Sequence, residues 1–414
     1  MKTRIFAVST LLFALIVSSC SLLRYQAKYI EPNPRVDTHS KTITNQIKKK
    51  YTFNQGTISF DNLFDMARMN DCRKLNDSTY TISILPENTP INASPWYAFR
   101  INSRTDQTLY INLEYTAAKH RYKPKASYDG NLWIPLEDDQ IHLSNGDSVA
   151  TIKFNLQAGT TWIAGQELFS SGKVMNWCQN LSHSNNVEFH SFGTSKEGRP
   201  LIFMDIYSGK KRKKPIVVIL ARQHPPEVSG HLAMQSFVET LLEKTPLTQH
   251  FHEKYRLLVY PILNPDGVDL GHWRHNTGGI DLNRDWGNYN QPEIRQVADH
   301  IVKQSKVNRS EVILGIDFHS THYDIYYTND VDPGALSVGT FTSDWIDQID
   351  KVFPEYTPRV EASEYLPVAT SKNWFYAEFQ TEGIIYEVGD NTPRDFISEK
   401  ARVAAIAMMK ILTE

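Results

Sequence analysis

The chain has 414 residues, of which 41% are hydrophobic, 22% charged and 11% aromatic, a globular composition that excludes a collagen-like, disordered or multi-span membrane protein. Lys and Arg number 44 against 46 for Asp and Glu, so the net charge is −2 and gives no overall reason to bind nucleic acid. Three cysteines are too few for a disulfide scaffold or a cysteine-built zinc finger. Cys72 and Cys178 could pair in an oxidising compartment or stay as buried free thiols.

Residues 1–20 have the pattern of a lipoprotein signal peptide. Two basic residues, Lys2 and Arg4, precede an apolar run that is too short to span a bilayer, which needs about 20 apolar residues. The run ends in Val17-Ser18-Ser19-Cys20, which resembles a bacterial lipobox; an ordinary cleaved signal peptide is the alternative. We therefore expect a bacterial lipoprotein, anchored to the membrane through Cys20 and facing the periplasm or the cell surface.

Residues 21–170 predict a linker and then an all-β domain. Residues 21–50 are polar and contain Pro32 and Pro34, which favours a flexible linker. Over residues 51–170, apolar and polar residues alternate, as in Leu109, Ile111, Leu113 and Tyr115, and turn signals such as Asn145-Gly146-Asp147 separate these runs. Short alternating strands between such turns are typical of a β-sandwich.

Residues 171–414 predict an α/β domain. Continuous apolar runs, which suit buried strands of a largely parallel sheet, cover Ile216–Ala221, Arg256–Leu263, Val312–Phe318 and Ile384–Tyr386. Helical patterns lie between them, including an apolar stripe over Gly230–Leu242.

Candidate metal ligands follow two of these strands. His224-Pro225-Pro226-Glu227 comes directly after Ile216–Ala221, at the strand end where open α/β sheets bind ligands. Catalytic zinc takes three protein ligands and keeps one open position, and His319, directly after Val312–Phe318, is the candidate third ligand. An H-x-x-E pair alone is a weak signal, because it often occurs by chance.

Further motifs occur in order along the chain: Asn264-Pro265-Asp266-Gly267-Val268, the segment from Gly271 to Arg284, Asp317-Phe318-His319-Ser320, and Ile385-Tyr386-Glu387-Val388-Gly389-Asp390. With these motifs the chain resembles the zinc metallocarboxypeptidases, and within them the cytosolic-carboxypeptidase-like branch. The resemblance covers residues 191 to 389. It implies the α/β zinc-carboxypeptidase fold with a mixed, mostly parallel sheet, preceded by a β-sandwich like the one that the alternating pattern predicts independently.

The resemblance also implies site residues. It makes His224, Glu227 and His319 the ligands of one Zn²⁺ ion, with Asp281 orienting His224. It makes Glu387 the general base and Arg274, nine residues before Asn283, the residue that stabilises the oxyanion, with His275 as a weaker substitute. Asn283 and Arg284 match the pair that binds the terminal carboxylate of the substrate. Apart from the resemblance, Asp281 could be a turn residue and Glu387 a strand-end glutamate in a salt bridge.

Two further assignments concern the leaving residue. Tyr365 matches a mobile tyrosine of the family, and Lys372 matches the residue at the floor of the substrate pocket. A cationic floor would favour an acidic side chain on the leaving residue, although Lys372 could equally be a surface lysine. One position departs from the digestive members of the family: they have arginine directly before the zinc-binding glutamate, where this chain has Pro226.

The predicted function is a zinc-dependent metallocarboxypeptidase that hydrolyses the C-terminal peptide bond of a peptide or muropeptide. A zinc-dependent amidase or deacylase on the same scaffold, or a muropeptide peptidase, is the nearest alternative. A binding lipoprotein with a non-catalytic site is the alternative from a different class.

Overall fold

The computed structural model describes residues 25–89, 92–356, 359–364 and 368–414. The predicted signal peptide over residues 1–20, including Cys20, and the predicted substrate contact Tyr365 lie outside these residues. Across the described ranges, no helix combines the length and apolar character that crossing a bilayer requires.

The segment before the first strand lies against the C-terminal half of the chain. The backbone N–H groups of Lys28 and Tyr29 donate to Glu378 Oε2, both at 2.7 Å, and the side chain of Gln291 donates to the carbonyl of Thr38 at 2.6 Å. These contacts hold a segment without regular secondary structure along the surface of the catalytic domain. Long-range hydrogen bonds thus connect this segment, whose polar composition favours a flexible linker, to the C-terminal half.

Eleven short strands follow the segment. They are β1 Lys50–Phe53, β2 Ile58–Asp61, β3 Asp71–Lys74, β4 Thr79–Ile84, β5 Ala98–Ser103, β6 Gln107–Tyr115, β7 Lys125–Ser127, β8 Ile134–Pro135, β9 Ile141–Ser144, β10 Val149–Leu156 and β11 Gly159–Ala164. One sheet has the order β1-β2-β5-β11-β7-β8 and is antiparallel, and the other has the order β3-β4-β6-β10-β9 with one parallel pair, β4 and β6. Alternate residues of β6 are buried, from Leu109 to Tyr115, as the alternating pattern predicts.

The C-terminal half contains the remaining elements. Its strands are β12 Val187–Thr194, β13 Pro200–Ile206, β14 Ile216–Ala221, β15 Arg256–Tyr260, β16 Val312–Thr321, β17 Ile325–Asp330, β18 Val360–Glu364 and β19 Glu382–Gly389. Its helices are α1 Ser171–Leu181, α2 Val228–Leu241, α3 Pro246–Lys254, α4 Pro265–Asp269, α5 Pro292–Asn308, α6 Phe341–Val352, α7 Ser371–Phe379 and α8 Arg394–Thr413. Cys72 in β3 and Cys178 in α1 are buried free thiols, so the alternative without a disulfide holds.

These eight strands form one mixed sheet, in the order β12-β13-β15-β14-β16-β19-β17-β18. Its central strands β15, β14, β16 and β19 are parallel to one another. Strand β14 is buried on both faces: Val217, Ile219 and Ala221 join the apolar core that includes α2 and α8, whereas the alternate residues join the core that includes α5 and α7. This is a helix–sheet–helix arrangement, which explains the continuous apolar runs in the sequence.

Strands β14, β16 and β19 end at the same edge of the sheet, and α2 approaches this edge closely. A Cβ atom at Gly230 in α2 would lie 2.2 Å from the carbonyl oxygen of His319 in β16. The N–H of Gly230 donates to Ser320 Oγ at 2.8 Å. The absence of a side chain at residue 230 therefore allows the start of α2 to lie against β16, at the carboxyl ends where α/β proteins bind ligands.

Candidate active site

His224, Glu227 and His319 lie together at this edge of the sheet. His224 is in the loop after β14, Glu227 directly precedes α2, and His319 is in β16. One potential ligand atom from each lies within 4.8 Å of the other two. Nδ1 of His224 and Nδ1 of His319 each lie 2.8 Å from a different oxygen of the Glu227 carboxylate. The structure thus brings together the three residues that the sequence predicts as ligands.

A second ring nitrogen on each histidine contacts a carboxylate. His224 Nε2 lies 2.8 Å from Asp281 Oδ1, and His319 Nε2 lies 2.9 Å from Asp317 Oδ2. Such outer carboxylates fix the orientation and tautomer of histidines that bind metals, and they leave both Nδ1 atoms directed at Glu227. Asp281 was predicted in this position, but Asp317 was not. The D-F-H motif could have identified Asp317 as a partner of His319, because residues two apart on a strand share a face.

The charges at the triad suit a divalent cation. Burial opposes ionisation of Glu227, but the two imidazoles in contact with it hold the pKa of this carboxyl well below its usual range. Burial likewise opposes ionisation of Asp281, and the charges of Arg274 and His224 hold its pKa low. Two imidazole nitrogens and one ionised carboxylate form a ligand set that zinc uses at catalytic sites, so these residues fit the ion that the sequence predicts.

Glu387 lies beside the triad with one oxygen unpaired. Strand β19 pairs in parallel with β16, and Glu387 is the register partner of His319. Its Oε2 is buried and has no hydrogen-bond partner among the described residues, which include no ion pair to this carboxylate either. Burial, and then the negative charge of Glu227, raises the pKa of Glu387. A salt-bridged glutamate, the alternative for this position, is not what the structure shows.

Three of the predicted substrate-facing residues gather around Asp281. Nε of Arg274 lies 2.8 Å from Asp281 Oδ2, and an Nη1 atom of Arg284 lies 3.9 Å from the same oxygen. The N–H of Asn283 donates to Asp281 Oδ1 at 2.9 Å. His275, the weaker substitute for Arg274, instead has Nδ1 2.6 Å from Asn88 Oδ1 in the N-terminal half and does not line the cavity described below.

Lys372 is buried, so its interpretation as a surface lysine is wrong. Its ammonium group donates to Thr328 O at 3.0 Å, Asn329 Oδ1 at 2.7 Å and Ser363 Oγ at 3.1 Å. These acceptors are neutral, and no described carboxylate forms an ion pair with Lys372. Burial lowers the pKa of Lys372 to about 8. Among the described side chains, this partly desolvated cation therefore has no anionic partner.

One cavity of about 470 Å³ is lined by the predicted ligands, the predicted base and the predicted substrate contacts, namely His224, Glu227, His319, Glu387, Arg274, Asn283, Arg284 and Lys372, together with Pro226, Trp273 and Tyr327. Two further lining residues, Arg121 and Tyr122, come from the N-terminal β domain, in which the sequence showed no cluster of catalytic residue types. A larger groove of about 660 Å³ between the ends of α2 and α3 contains none of the predicted site residues. The chemistry of the residues, rather than the size of the cavity, therefore identifies the site.

Comparison with known proteins identifies the family of the chain. Residues 174–411, more than half of the chain, match the zinc carboxypeptidase family. The chain is 22% identical to cytosolic carboxypeptidase 6 of Mus musculus over 289 residues. This match covers 64% of the chain and 54% of the mouse protein. The chain spans about half the length of the curated relatives it matches.

Solved structures share the fold across both halves of the chain. A metallo-carboxypeptidase from Burkholderia cenocepacia superposes with a TM-score of 0.71 at 19% identity, over 86% of this chain and 98% of that one. A metallo-carboxypeptidase from Pseudomonas aeruginosa, in complex with (2-guanidinoethylmercapto)succinic acid, superposes with a TM-score of 0.69 at 17% identity. The superposition covers 85% of this chain and 98% of that one. The predicted fold class is confirmed, and the chain belongs to the zinc carboxypeptidase family.

Proposed function

We propose that the protein is a zinc-dependent carboxypeptidase that removes single residues from the C-terminus of peptides. The observation that carries this proposal is the position of Glu387: a half-buried glutamate with one buried, unpaired oxygen lies beside the His224–Glu227–His319 triad, in a cavity that Arg274 and Arg284 also line. A metal-binding protein without hydrolytic activity has no need for an unpaired acid beside its metal ligands. Peptide hydrolysis needs such an acid to accept and return a proton.

His224, Glu227 and His319 would hold the zinc ion, with Asp281 and Asp317 orienting the two histidines. A bound zinc ion would supply a Lewis acid that polarises the scissile carbonyl and lowers the pKa of a water molecule toward about 7. In the proposed reaction Glu387 Oε2 takes a proton from the attacking water and then gives it to the amine of the leaving residue. The raised pKa of Glu387 suits both transfers, because an acid–base group works best when its pKa lies near the operating pH.

Two arginines would bind two different groups of the substrate, the scissile carbonyl and the terminal carboxylate. Arg274 lies beside the triad, where a fixed cation can stabilise negative charge that develops on the carbonyl oxygen, and a single donor of this kind contributes about 3–4 kcal/mol. Arg284, with Asn283, would bind the terminal carboxylate, because a guanidinium group can donate two parallel hydrogen bonds to it. Binding at this carboxylate would restrict cleavage to the last peptide bond.

Lys372 supports a preference for an acidic leaving residue. Its ammonium group lines the same cavity and has only neutral hydrogen-bond acceptors. A glutamate or aspartate side chain on the leaving residue would give this cation an ionic partner, which none of the described side chains provides. Tyr365, for which the sequence predicts a further substrate contact, remains part of the proposal on the resemblance alone.

A lipid anchor at Cys20 is a separate proposal, which the lipobox-like Val17-Ser18-Ser19-Cys20 supports. It would place the enzyme on the periplasmic or outer face of a bacterial membrane, where peptides and muropeptides are both available. In cells, the wild-type chain should take up labelled fatty acid and sediment with membranes, whereas Cys20→Ala should do neither. Equal labelling of the two chains would contradict the anchor.

The test of the enzymatic function uses the chain from residue 21 onward and a set of peptides that differ only at the last residue. Loss of one C-terminal residue, abolished by a chelator and restored by zinc, is the expected result, with glutamate and aspartate removed fastest. Intact peptides from a zinc-loaded protein would overturn the carboxypeptidase. Cleavage of acyl-amino acids or muropeptides under the same conditions would then favour the amidase or the muropeptide peptidase.

A further inference from the structure

A loop of the β-sandwich domain reaches the catalytic cavity. Arg121 and Tyr122 lie between β6 and β7 and line the cavity together with the metal triad. The partners of Arg121 in the C-terminal half are Asp390, three residues after Glu387, and Trp273, the residue before Arg274. Arg121 thus contacts residues that neighbour Glu387 and Arg274 along the chain.

Contacts from both domains hold the Arg121 side chain in place. Its Nε donates to Asp390 Oδ2 at 2.7 Å, three residues beyond Glu387. Its guanidinium carbon lies 5.1 Å from the ring centre of Tyr122 and 6.0 Å from that of Trp273. Trp273 Nε1 in turn donates to the hydroxyl of Tyr122 at 2.9 Å. The guanidinium group is therefore oriented before any substrate binds.

Arg121 keeps hydrogen-bonding capacity beyond these contacts. A guanidinium group has five N–H donors, and among the described residues Arg121 donates a hydrogen bond only from Nε. The side chain is 15% exposed, and this exposure is toward the cavity that it lines. Pro226 at the same cavity has no N–H donor at all. The four Nη N–H groups are thus available to a ligand in the cavity.

The charge of Arg121 indicates which ligand group these donors suit. Asp390 already forms an ion pair with the guanidinium group, which offsets part of its charge. A neutral acceptor in a fixed position, such as a main-chain carbonyl oxygen, suits the remaining N–H groups better. Because Arg284 and Lys372 already account for the leaving residue, a carbonyl here would belong to the part of the peptide that is retained after cleavage.

We propose that Arg121 of the β-sandwich domain is a substrate-binding residue that donates hydrogen bonds to a main-chain carbonyl of the retained peptide, on the amino side of the scissile bond. The proposal rests on the carboxypeptidase function given above. It gives the β-sandwich a role in the site: this domain supplies the contact that lets the enzyme bind a peptide longer than the leaving residue.

The test compares Arg121→Met with the wild type, both zinc-loaded, on two ligands. With an N-acetylated dipeptide substrate that ends in the preferred residue, kcat/KM should fall about 10-fold or more, mostly through KM, because a hydrogen bond from a charged group is lost. The inhibition constant of the free leaving amino acid, which occupies only the leaving side, should change less than about 2-fold. Arg73→Met, which removes an exposed arginine elsewhere on the same domain, should change neither quantity.

Arg121→Lys covers the case in which the methionine variant does not fold, because it keeps a cation for Asp390 while losing the planar fork of donors. In this variant kcat/KM for the dipeptide should fall by a smaller factor, and the inhibition constant of the free amino acid should again stay nearly unchanged. Equal weakening of both ligands, or no weakening of either, would overturn the role of Arg121. A wild type that cleaves no peptide would instead overturn the carboxypeptidase itself, so the two failures are distinguishable.

Discussion

At the residue scale, the hydrogen bonds to the two histidines determine how well the triad can bind zinc. Asp317→Ala removes the acceptor at His319 Nε2, so we expect the zinc affinity to fall about 10–100-fold. Competition with a chromophoric chelator measures this affinity. Asp138→Ala, which changes an exposed aspartate of the β-sandwich, is the matched control. Wild-type affinity in the Asp317 variant would show that this contact does not orient His319.

Lys372 predicts a pH dependence of substrate preference. Because burial lowers the pKa of Lys372 to about 8, the ammonium group is charged below this pH and loses its charge as the pH rises through it. The ratio of kcat/KM for peptides ending in glutamate and in glutamine should therefore decline as the pH rises through about 8. The pH dependence of kcat/KM reports the pKa values of groups in the free enzyme. In Lys372→Met it should be low and independent of pH; a ratio that stays constant in the wild type would remove Lys372 from specificity.

The sequence predicts the positions of the metal ligands and of the base better than it predicts the burial of Lys372, for a physical reason. His224, Glu227 and Glu387 adjoin or end continuous apolar strands, so the direction of each strand already places them at one edge. The burial of Lys372 depends on acceptors from two other strands, Thr328 and Asn329 in β17 and Ser363 in β18, which no local pattern connects to it. The sequence could thus identify Lys372 but not decide between pocket and surface.

At the scale of elements, the contact between α2 and β16 sets the distance between Glu227 and His319. In Gly230→Ala the new Cβ would collide with the His319 carbonyl, so the helix or the strand must shift. We expect a loss of about 1–3 kcal/mol in the free energy of unfolding, together with weaker zinc binding. Chemical denaturation and zinc titration measure the two effects.

Gly172→Ala in α1 is the control for this substitution, since its nearest neighbour would be Ser170 Oγ at 3.8 Å. It should leave zinc binding unchanged. If Gly230→Ala binds zinc as tightly as the wild type does, the close approach of α2 is not what sets the geometry of the triad.

Element prediction succeeds where one pattern decides the structure. Strands β6 and β10 carry the alternation that indicates a half-buried sheet. The segment before β1 has the polar composition of a flexible linker, whereas its contacts are hydrogen bonds to residues more than 200 positions away. The composition of a segment indicates how many polar groups it would have to bury, but not which distant residues would form hydrogen bonds with them.

At the scale of the whole molecule, the β-sandwich supports the catalytic loop. Glu87 is fully buried, and its carboxylate accepts hydrogen bonds from the backbone N–H groups of Trp273, Arg274 and His275 at 3.0 to 3.4 Å. It also lies 3.8 Å from the guanidinium group of Arg68. The sandwich therefore holds the backbone that carries Arg274, a contact that depends on the docking of two domains and leaves no mark on the local sequence.

Glu87→Gln should weaken this support. Removing one charge of a buried network typically costs about 3–5 kcal/mol, so we expect a lower free energy of unfolding together with a lower kcat, because Arg274 is less firmly placed. Thermal unfolding and steady-state kinetics measure the two effects. Glu114→Gln, at an exposed ion pair with Arg73, should have little effect on either. A stable Glu87→Gln variant with wild-type kcat would contradict the supporting role.

The most direct test of the central claim compares the wild type with Glu387→Gln, measuring bound zinc per chain and the rate at which a C-terminal residue is released. The account predicts one zinc ion in both proteins and a rate in the variant that is lower by a factor of about 10²–10⁴, the usual contribution of an acid–base group. Release at the wild-type rate by the zinc-loaded variant would contradict the account.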